Sequence, residues 1–187
     1  MRLILLGAPG SGKGTQGPVL AAHFGATHIS TGALLRAHLA DTNGLGRQIE
    51  EYVTAGELVP DEIVLEFLRD PIATAVASGG YVLDGFPRTV QQAELAYEWA
   101  LPTGTTAEAV VYLAVPDDIV RERLAGRSAE GRADDDADVI ENRLRIFHSE
   151  TEPLLDYYRG RDLLVPVEAT GKPDEVTGAV LAALASR

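Results

Sequence analysis

Residues 2–15 read Arg2-Leu3-Ile4-Leu5-Leu6-Gly7-Ala8-Pro9-Gly10-Ser11-Gly12-Lys13-Gly14-Thr15. Leu3 to Leu6 is continuously apolar, as a strand covered on both faces would be. After it, Gly7, Gly10, Gly12 and Gly14 let the backbone turn tightly and bring its N–H groups close to an anion. A helix predicted from Lys13 points the positive end of its dipole at the same place, and Lys13 adds a formal charge. Buried strand, glycine-rich turn, lysine and helix follow the phosphate-binding pattern G-x-x-x-x-G-K-[ST] with one departure. Gly14 stands where a Ser or Thr hydroxyl would meet Mg²⁺, and Thr15 offers a hydroxyl one residue late.

Outward from this loop, strands are expected at Arg2–Leu6, Thr27–Ile29, Tyr81–Leu83, Val110–Val115 and Leu163–Val167. Helical periodicity lies between them, near residues 13–24, 31–40, 46–55, 61–77, 89–99, 117–125, 137–149 and 173–185. The alternation predicts an α/β fold, a five-stranded parallel sheet with helices on both faces. Ser30, Asp61 and Asp117 stand at helix starts, Pro71 is expected to kink or split the 61–77 helix, and Pro18 to bend the first helix. Two stretches read as inserts: residues 30–59, helical and closed by Gly56 and Pro60, and the polar residues 126–136.

The whole chain has 187 residues, enough for one well-buried domain. A net charge of −12 argues against nonspecific partnership with nucleic acid or anionic membrane. No apolar run approaches the ~18 residues of a membrane span, and the start reaches Gly7 and Pro9 too soon for a signal peptide. With no cysteine, disulfides and thiolate metal sites are excluded. A cytoplasmic protein is the economical expectation. Lys13 and Lys172 are the only lysines among 16 cations. Either a general Arg-for-Lys bias explains this, or some arginines grip phosphates bidentately.

Asp84 closes the apolar strand Tyr81-Val82-Leu83, at the carboxyl end where open α/β sheets bind ligands. It either orders Mg²⁺-bound waters or caps the following turn. Gly7-Ala8-Pro9-Gly10-Ser11-Gly12-Lys13-Gly14-Thr15-Gln16, with Asp84-Gly85-Phe86-Pro87-Arg88-Thr89, resembles the adenylate kinase family over essentially the whole chain. The resemblance implies a P-loop NTPase-type fold and a reversible, Mg²⁺-dependent transfer of the terminal phosphoryl of ATP to AMP, giving two ADP. It implies one kinase domain with a core of residues 1–29, 60–125 and 137–187, a helical AMP-binding insert at 30–59 and a short lid at 126–136. Glycine after the loop lysine belongs to the family pattern, with Mg²⁺ held by phosphates and waters and Asp84 reaching it through water.

By the same resemblance, Gly10, Ser11, Gly12, Lys13, Gly14, Thr15, Arg123, Arg127 and Gly171 meet ATP. Thr31, Arg36, Glu57, Leu58, Val59, Gly85, Phe86, Pro87, Arg88 and Gln92 meet AMP, with Arg132 and Arg143 reaching AMP and the transferring group. Catalysis is expected to rest on Lys13, Arg88, Arg127, Arg132, Arg143 and Asp84. The chemistry is coherent: arginines offset phosphate charge, and the Gln92 amide offers a donor and an acceptor to a base edge. Arg143 borders the apolar stripe of its helix beside Val139 and Ile140, so it should point into a cleft and pair there. The lid is too short for a sizeable β-structure, and without cysteine it holds no structural zinc. The acidic run Asp134-Asp135-Asp136-Ala137-Asp138 suits a helix N-terminus rather than a metal. The four histidines show no ligand spacing, and Trp99 reads as a packing residue.

Three readings stay open beside AMP phosphorylation: a UMP/CMP kinase, a nucleotide-dependent switch, and a catalytically silent adenylate sensor. The switch lacks a guanine-reading Asn-Lys-x-Asp, since neither lysine sits in one. The sensor is disfavoured because every charged group needed for transfer is present. A monomer is the expectation from the resemblance.

Overall fold

The structure is a computed structural model that describes residues 1–39, 44–128 and 137–187. Five parallel strands, β1 (Arg2–Leu6), β2 (Thr27–Ser30), β3 (Tyr81–Asp84), β4 (Ala109–Ala114) and β5 (Leu164–Glu168), form one sheet in the order β2-β3-β1-β4-β5. Around it lie α1 (Lys13–Phe24), α2 (Thr31–Leu39), α3 (Gly44–Ala55), α4 (Asp61–Ala77), α5 (Val90–Ala100), α6 (Asp117–Ser128), α7 (Ala137–Ile146), α8 (Pro153–Arg159) and α9 (Pro173–Ala185).

The apolar run of β1 is apolar because both of its faces are covered. Leu3 and Leu5 pack with Val82, Val111 and Leu113 against α1 and α9, through Leu20, Ala21, Val176 and Val180. Ile4 and Leu6 face the other way, with Ile29, Leu83 and Val110, against α4, α5 and α8. A third cluster, Ala8, Val120, Leu124, Ile140, Leu144 and Phe147, joins α6 and α7 beneath the glycine-rich turn. All five strands are parallel, so their carboxyl ends open on one edge. The strand order reverses beside β1, the place where such sheets bind ligands.

Several expectations needed correction. Pro71 does not split its helix, since α4 runs unbroken over 17 residues. One missing ladder bond is offset by the buried stripe Val64, Leu68, Ile72 and Ala75. Pro18 is likewise carried inside α1, exposed on its outer side. Asp61 is the first helical residue of α4 rather than its cap; Pro60 holds that position, without a side-chain bond. Ser30 behaves as expected, accepting from the Ala33 N–H at 3.4 Å. A π-helical turn (Phe147–Thr151) and α8 follow α7 where only one helix to residue 149 was expected. Trp99 is 37% exposed because α5 buries Gln92, Ala93 and Ala100, and residue 99 lies off that stripe. The Asp134–Asp136 run lies outside the described residues.

Gly80 holds three strand origins together. Its carbonyl accepts from Thr27, and Tyr81, next in the chain, donates to the Met1 carbonyl. Its φ is +117°, and a Cβ there would lie 2.1 Å from the Met1 oxygen, which is backbone and cannot swing away. Gly80→Ala is therefore expected to lower stability by about 2–5 kcal/mol, the combined scale of backbone strain and overpacking. Denaturant unfolding of the two proteins measures it.

Candidate active site

The loop between β1 and α1 seats its backbone on α6. At Gly10 (φ +78°) a Cβ would come within 2.9 Å of Leu124 Cγ, so only glycine lets the chain lie this close. Ser11 N–H donates to the Ala8 carbonyl, and the N–H groups of Thr15 and Gln16 donate to Gly12. Among the described residues the N–H groups of Gly10, Gly12 and Gly14 make no hydrogen bond. They form, with the start of α1, a nest suited to an anion. Lys13 Nζ is steered over this loop by the carbonyls of Gly7 (2.7 Å) and Ala8 (2.9 Å).

The loop opens into a cleft of about 1390 Å³ that also reaches Asp84, Gly85, Arg88, Arg36, Arg123, Arg143 and Gly171. Asp84 ends β3 and is 8% exposed; among the described residues its carboxylate makes no hydrogen bond or ion pair. Arg88 follows in the loop after β3, beyond the cis Phe86–Pro87 peptide, and is half-buried. Its Nε donates to the Gly85 carbonyl at 2.9 Å, and Thr151 Oγ1 donates to the Arg88 carbonyl at 2.7 Å. Desolvation pushes the Arg88 pKa down, and Arg143 and then Arg36 push the same way, with Asp84 opposing less strongly than Arg143. Arg88 thus has two arginines and one carboxylate among its described charged neighbours.

A smaller cavity adjoins the cleft, lined by Thr31, Arg36, Leu58, Val59, Gln92 and Arg143 among others. Thr31 is buried, and its Oγ1 has no hydrogen-bond partner. Gln92 is 2% exposed and held at both ends of its amide, by Asp61 and by the Arg88 N–H.

At the other end of the cleft, Arg123 of α6 donates to the carbonyls of Ala169 (2.9 Å) and Thr170 (3.1 Å). That contact fixes the turn carrying Gly171 into α9. Gln16 of α1 ties down the same turn, donating to the Pro173 carbonyl at 2.9 Å and accepting from Thr177 at 2.7 Å.

With two anion-receptive ends in one cleft, the comparison with known proteins is decisive. The adenylate kinase family model matches residues 5–163. The chain belongs to the adenylate kinase family. It is 46% identical to the adenylate kinase of Rhodococcus erythropolis, over 98% of this chain and 99% of that one. Adenylate kinase 1 of Nostoc sp. is 44% identical over 99% of both chains. The Streptomyces griseus adenylate kinase is 39% identical over 98% of this chain and 97% of its own. Membership makes the chain a nucleoside monophosphate kinase, a phosphotransferase on a five-stranded parallel α/β fold.

The structure brings together most of the residues that the family resemblance selects. Gly10, Ser11, Gly12, Lys13, Gly14, Thr15, Arg123 and Gly171 line the main cleft, with Asp84, Gly85, Pro87 and Arg88. Thr31, Arg36, Glu57, Leu58, Val59, Gln92 and Arg143 gather at the smaller cavity. Phe86 is not at either surface; it is buried in the core at 2% exposure and anchors the loop from below. Arg127 falls in the last turn of α6 with its side chain outside what is described, and Arg132 lies wholly outside the described residues. No cluster of three or more metal-ligating side chains occurs among the described residues, and no described helix is long and apolar enough to cross a membrane.

Sequence reading missed Thr151, Gln16 and His28. The first two position other groups across 63 and 161 residues of chain, so no local pattern announces them. His28 lines the cleft from β2, with its pKa lowered by burial and its Nε2 unpartnered. Strand alternation was the only available signal for it.

The helices that flank the cleft are braced on their outer side. Arg121 of α6 grips Glu141 of α7 bidentately, at 2.6 and 3.0 Å. His148 bridges Glu152 (2.9 Å) and Asp117 (3.0 Å). Those hydrogen bonds, Glu152 first, raise its pKa above 6.5. The stabilisation is therefore full below the unfolded value of 6.5 and is lost as pH rises through the higher folded value. His148→Gln should lower the unfolding free energy near pH ~5.5, by ~1 kcal/mol or less because the pair is exposed, and leave it nearly unmoved near pH ~8.5. Equal loss at both pH values would contradict the charged bridge.

Proposed function

We propose that the loop end of the cleft takes ATP and the Arg88 end takes AMP, so that phosphoryl transfer runs between Lys13 and Arg88. The observation that carries this is the single cleft shared by Lys13, Asp84, Arg88, Arg36 and Arg143, with a smaller recess lined by Thr31 and Gln92 beside it. An α-phosphate oxygen of AMP attacks the terminal phosphorus of ATP, the bond to the bridging oxygen breaks, and the electron pair leaves with the first ADP. No covalent enzyme intermediate is needed, and positioning with charge neutralisation supplies the acceleration.

In this reading the N–H groups of the loop and Lys13 hold the β- and γ-phosphates of ATP. Arg36 and Arg88 hold the AMP phosphate, and Arg143, with Arg127 and Arg132, meets the equatorial oxygens of the group in flight. Arg123 and Gly171 form the wall for the ATP base. Asp84 fits Mg²⁺ held through water: it is a buried oxygen donor in the cleft of the loop, with no hydrogen bond or ion pair to its carboxylate among the described residues. When bound, the ion offsets charge on the phosphate oxygens. Residues 30–59 serve as the AMP-binding insert and residues 126–136 as the short lid. The protein is proposed to act as a cytoplasmic monomer without nucleic-acid or membrane partners, a reading supported by the net charge of −12.

A coupled assay with ATP and Mg²⁺ tests this, offering AMP, CMP, UMP or GMP and an acceptor-free control. ADP formation with AMP far above the other acceptors is expected. Preference for CMP or UMP would overturn the base assignment, and acceptor-free hydrolysis would overturn the kinase reading. Lys13→Met and Arg88→Ala should each lower turnover by at least ~10²-fold, the scale of losing an electrostatic clamp, with unfolding still cooperative. Near-normal kinetics in either variant would remove that residue from its role.

A further inference from the structure

Gln92 lines the smaller recess, and its amide is held from both sides. Its Nε2 donates to Asp61 Oδ1 at 2.6 Å, and its Oε1 accepts from the Arg88 backbone N–H at 2.7 Å. These two partners impose one orientation. An ionised carboxylate can only accept, so the amide nitrogen must face Asp61. A backbone N–H can only donate, so the amide oxygen must face Arg88. Rotating the amide by half a turn would set oxygen against carboxylate and N–H against N–H, in a site where Gln92 is 2% exposed and water offers little rescue. Thr89 adds to the rigidity: its Oγ1 accepts from the Gln92 backbone N–H at 3.1 Å, capping α5.

An amide so held keeps one N–H and one oxygen lone pair unspent. It therefore shows an approaching base a donor and an acceptor in an order that cannot be exchanged. A 6-aminopurine offers a donor at N6 beside an acceptor ring nitrogen, whereas a 6-oxopurine offers an acceptor at O6 beside the N1–H donor. The two patterns are reversed, and a freely rotating amide would serve both. We propose that Asp61 is a positioning residue that fixes the donor–acceptor polarity of Gln92, and so sets the preference for a 6-amino over a 6-oxopurine monophosphate. This rests on the reading that Gln92 meets the acceptor base. Asp61 itself lines neither cavity, so its influence passes through the amide.

Asp61 also begins α4 beside Glu62, and a negative charge in a first turn stabilises a helix whatever it touches. The test separates the two roles. Asp61→Asn, Glu62→Gln and Gln92→Ala would be compared with the parent for kcat/KM with AMP and with IMP, and for binding of each monophosphate by calorimetry. Asparagine can donate as well as accept, so the pin on the amide is released at nearly constant shape. Asp61→Asn is expected to reduce the AMP-over-IMP ratio about tenfold, the worth of one correctly oriented hydrogen bond in a buried site. That loss should come through KM for AMP, with KM for ATP unmoved. Asp61→Asn and Glu62→Gln should lower the melting temperature by similar amounts, each removing one first-turn charge, while Glu62→Gln leaves the ratio intact.

An unchanged ratio in Asp61→Asn, with a lost ratio in Gln92→Ala, would overturn the positioning role while sparing the base reading. An unchanged ratio in Gln92→Ala would overturn both. A ratio that falls equally in Glu62→Gln would reduce Asp61 to a helix-stabilising charge and also contradict the proposal.

Discussion

The site is organised around Arg88, which among the described residues has two arginines, Arg143 and Arg36, and one carboxylate, Asp84, as charged neighbours. Arg88 makes no ion pair among the described residues; its guanidinium reaches the Gly85 carbonyl, and Arg143 and Arg36 stand close enough to depress its pKa. Such an arrangement costs stability in a folded chain, because like charges repel more strongly where water is scarce. It is tolerable in a protein whose overall charge is −12, and it becomes favourable once phosphates enter. The surrounding architecture keeps those cations from relaxing apart. Thr151 holds the Arg88 backbone, α7 carries Arg143 on a helix rooted by Ile140 and Leu144, and the parallel sheet fixes the strand end from which the Arg88 loop departs.

The opposite end of the cleft is held by backbone rather than by side-chain charge. Gly10 lies so close to Leu124 that the loop has no room to collapse onto α6, and the N–H groups stay directed outward. Arg123 and Gln16 then bind the Gly171 turn to α6 and α1. Loop, turn and helix are thereby tied together by hydrogen bonds, which suits a reaction that depends on alignment more than on chemical participation.

Much of this was legible in the sequence, for local reasons. Glycine spacing around Lys13 encodes the loop because φ values that only glycine tolerates recur at fixed offsets. The sheet was legible because its strands are apolar on both faces, and no expected strand limit differs from the observed one by more than one residue. Arg143 stood out because a charge at the border of a buried helical stripe needs somewhere to go. What escaped was non-local or locally ambiguous. The turn Phe147–Thr151 has no 3.6-residue apolar period, and α8 starts at Pro153, a residue suited to the first turn of a helix. Pro71 misled because its local cost is outweighed by burial that only the folded sheet supplies. The bonds Thr151–Arg88, Gln16–Thr177 and Asp61–Gln92 join segments brought together by topology, so no window of sequence contains both partners.

The central claim of the proposed function is that the arginines around Arg88 receive the phosphate of the acceptor nucleotide. Thermal unfolding with AMP and with adenosine, at matched concentration and low ionic strength, tests it most directly. The two ligands share a base and a sugar and differ in the phosphate alone. AMP at 100 times its Kd should stabilise the fold by about 2.7 kcal/mol, while adenosine at the same concentration should give a small fraction of that. The AMP shift should shrink as salt is added and vanish in Arg88→Ala. Equal stabilisation by adenosine, or an AMP shift indifferent to salt and to Arg88, would contradict it.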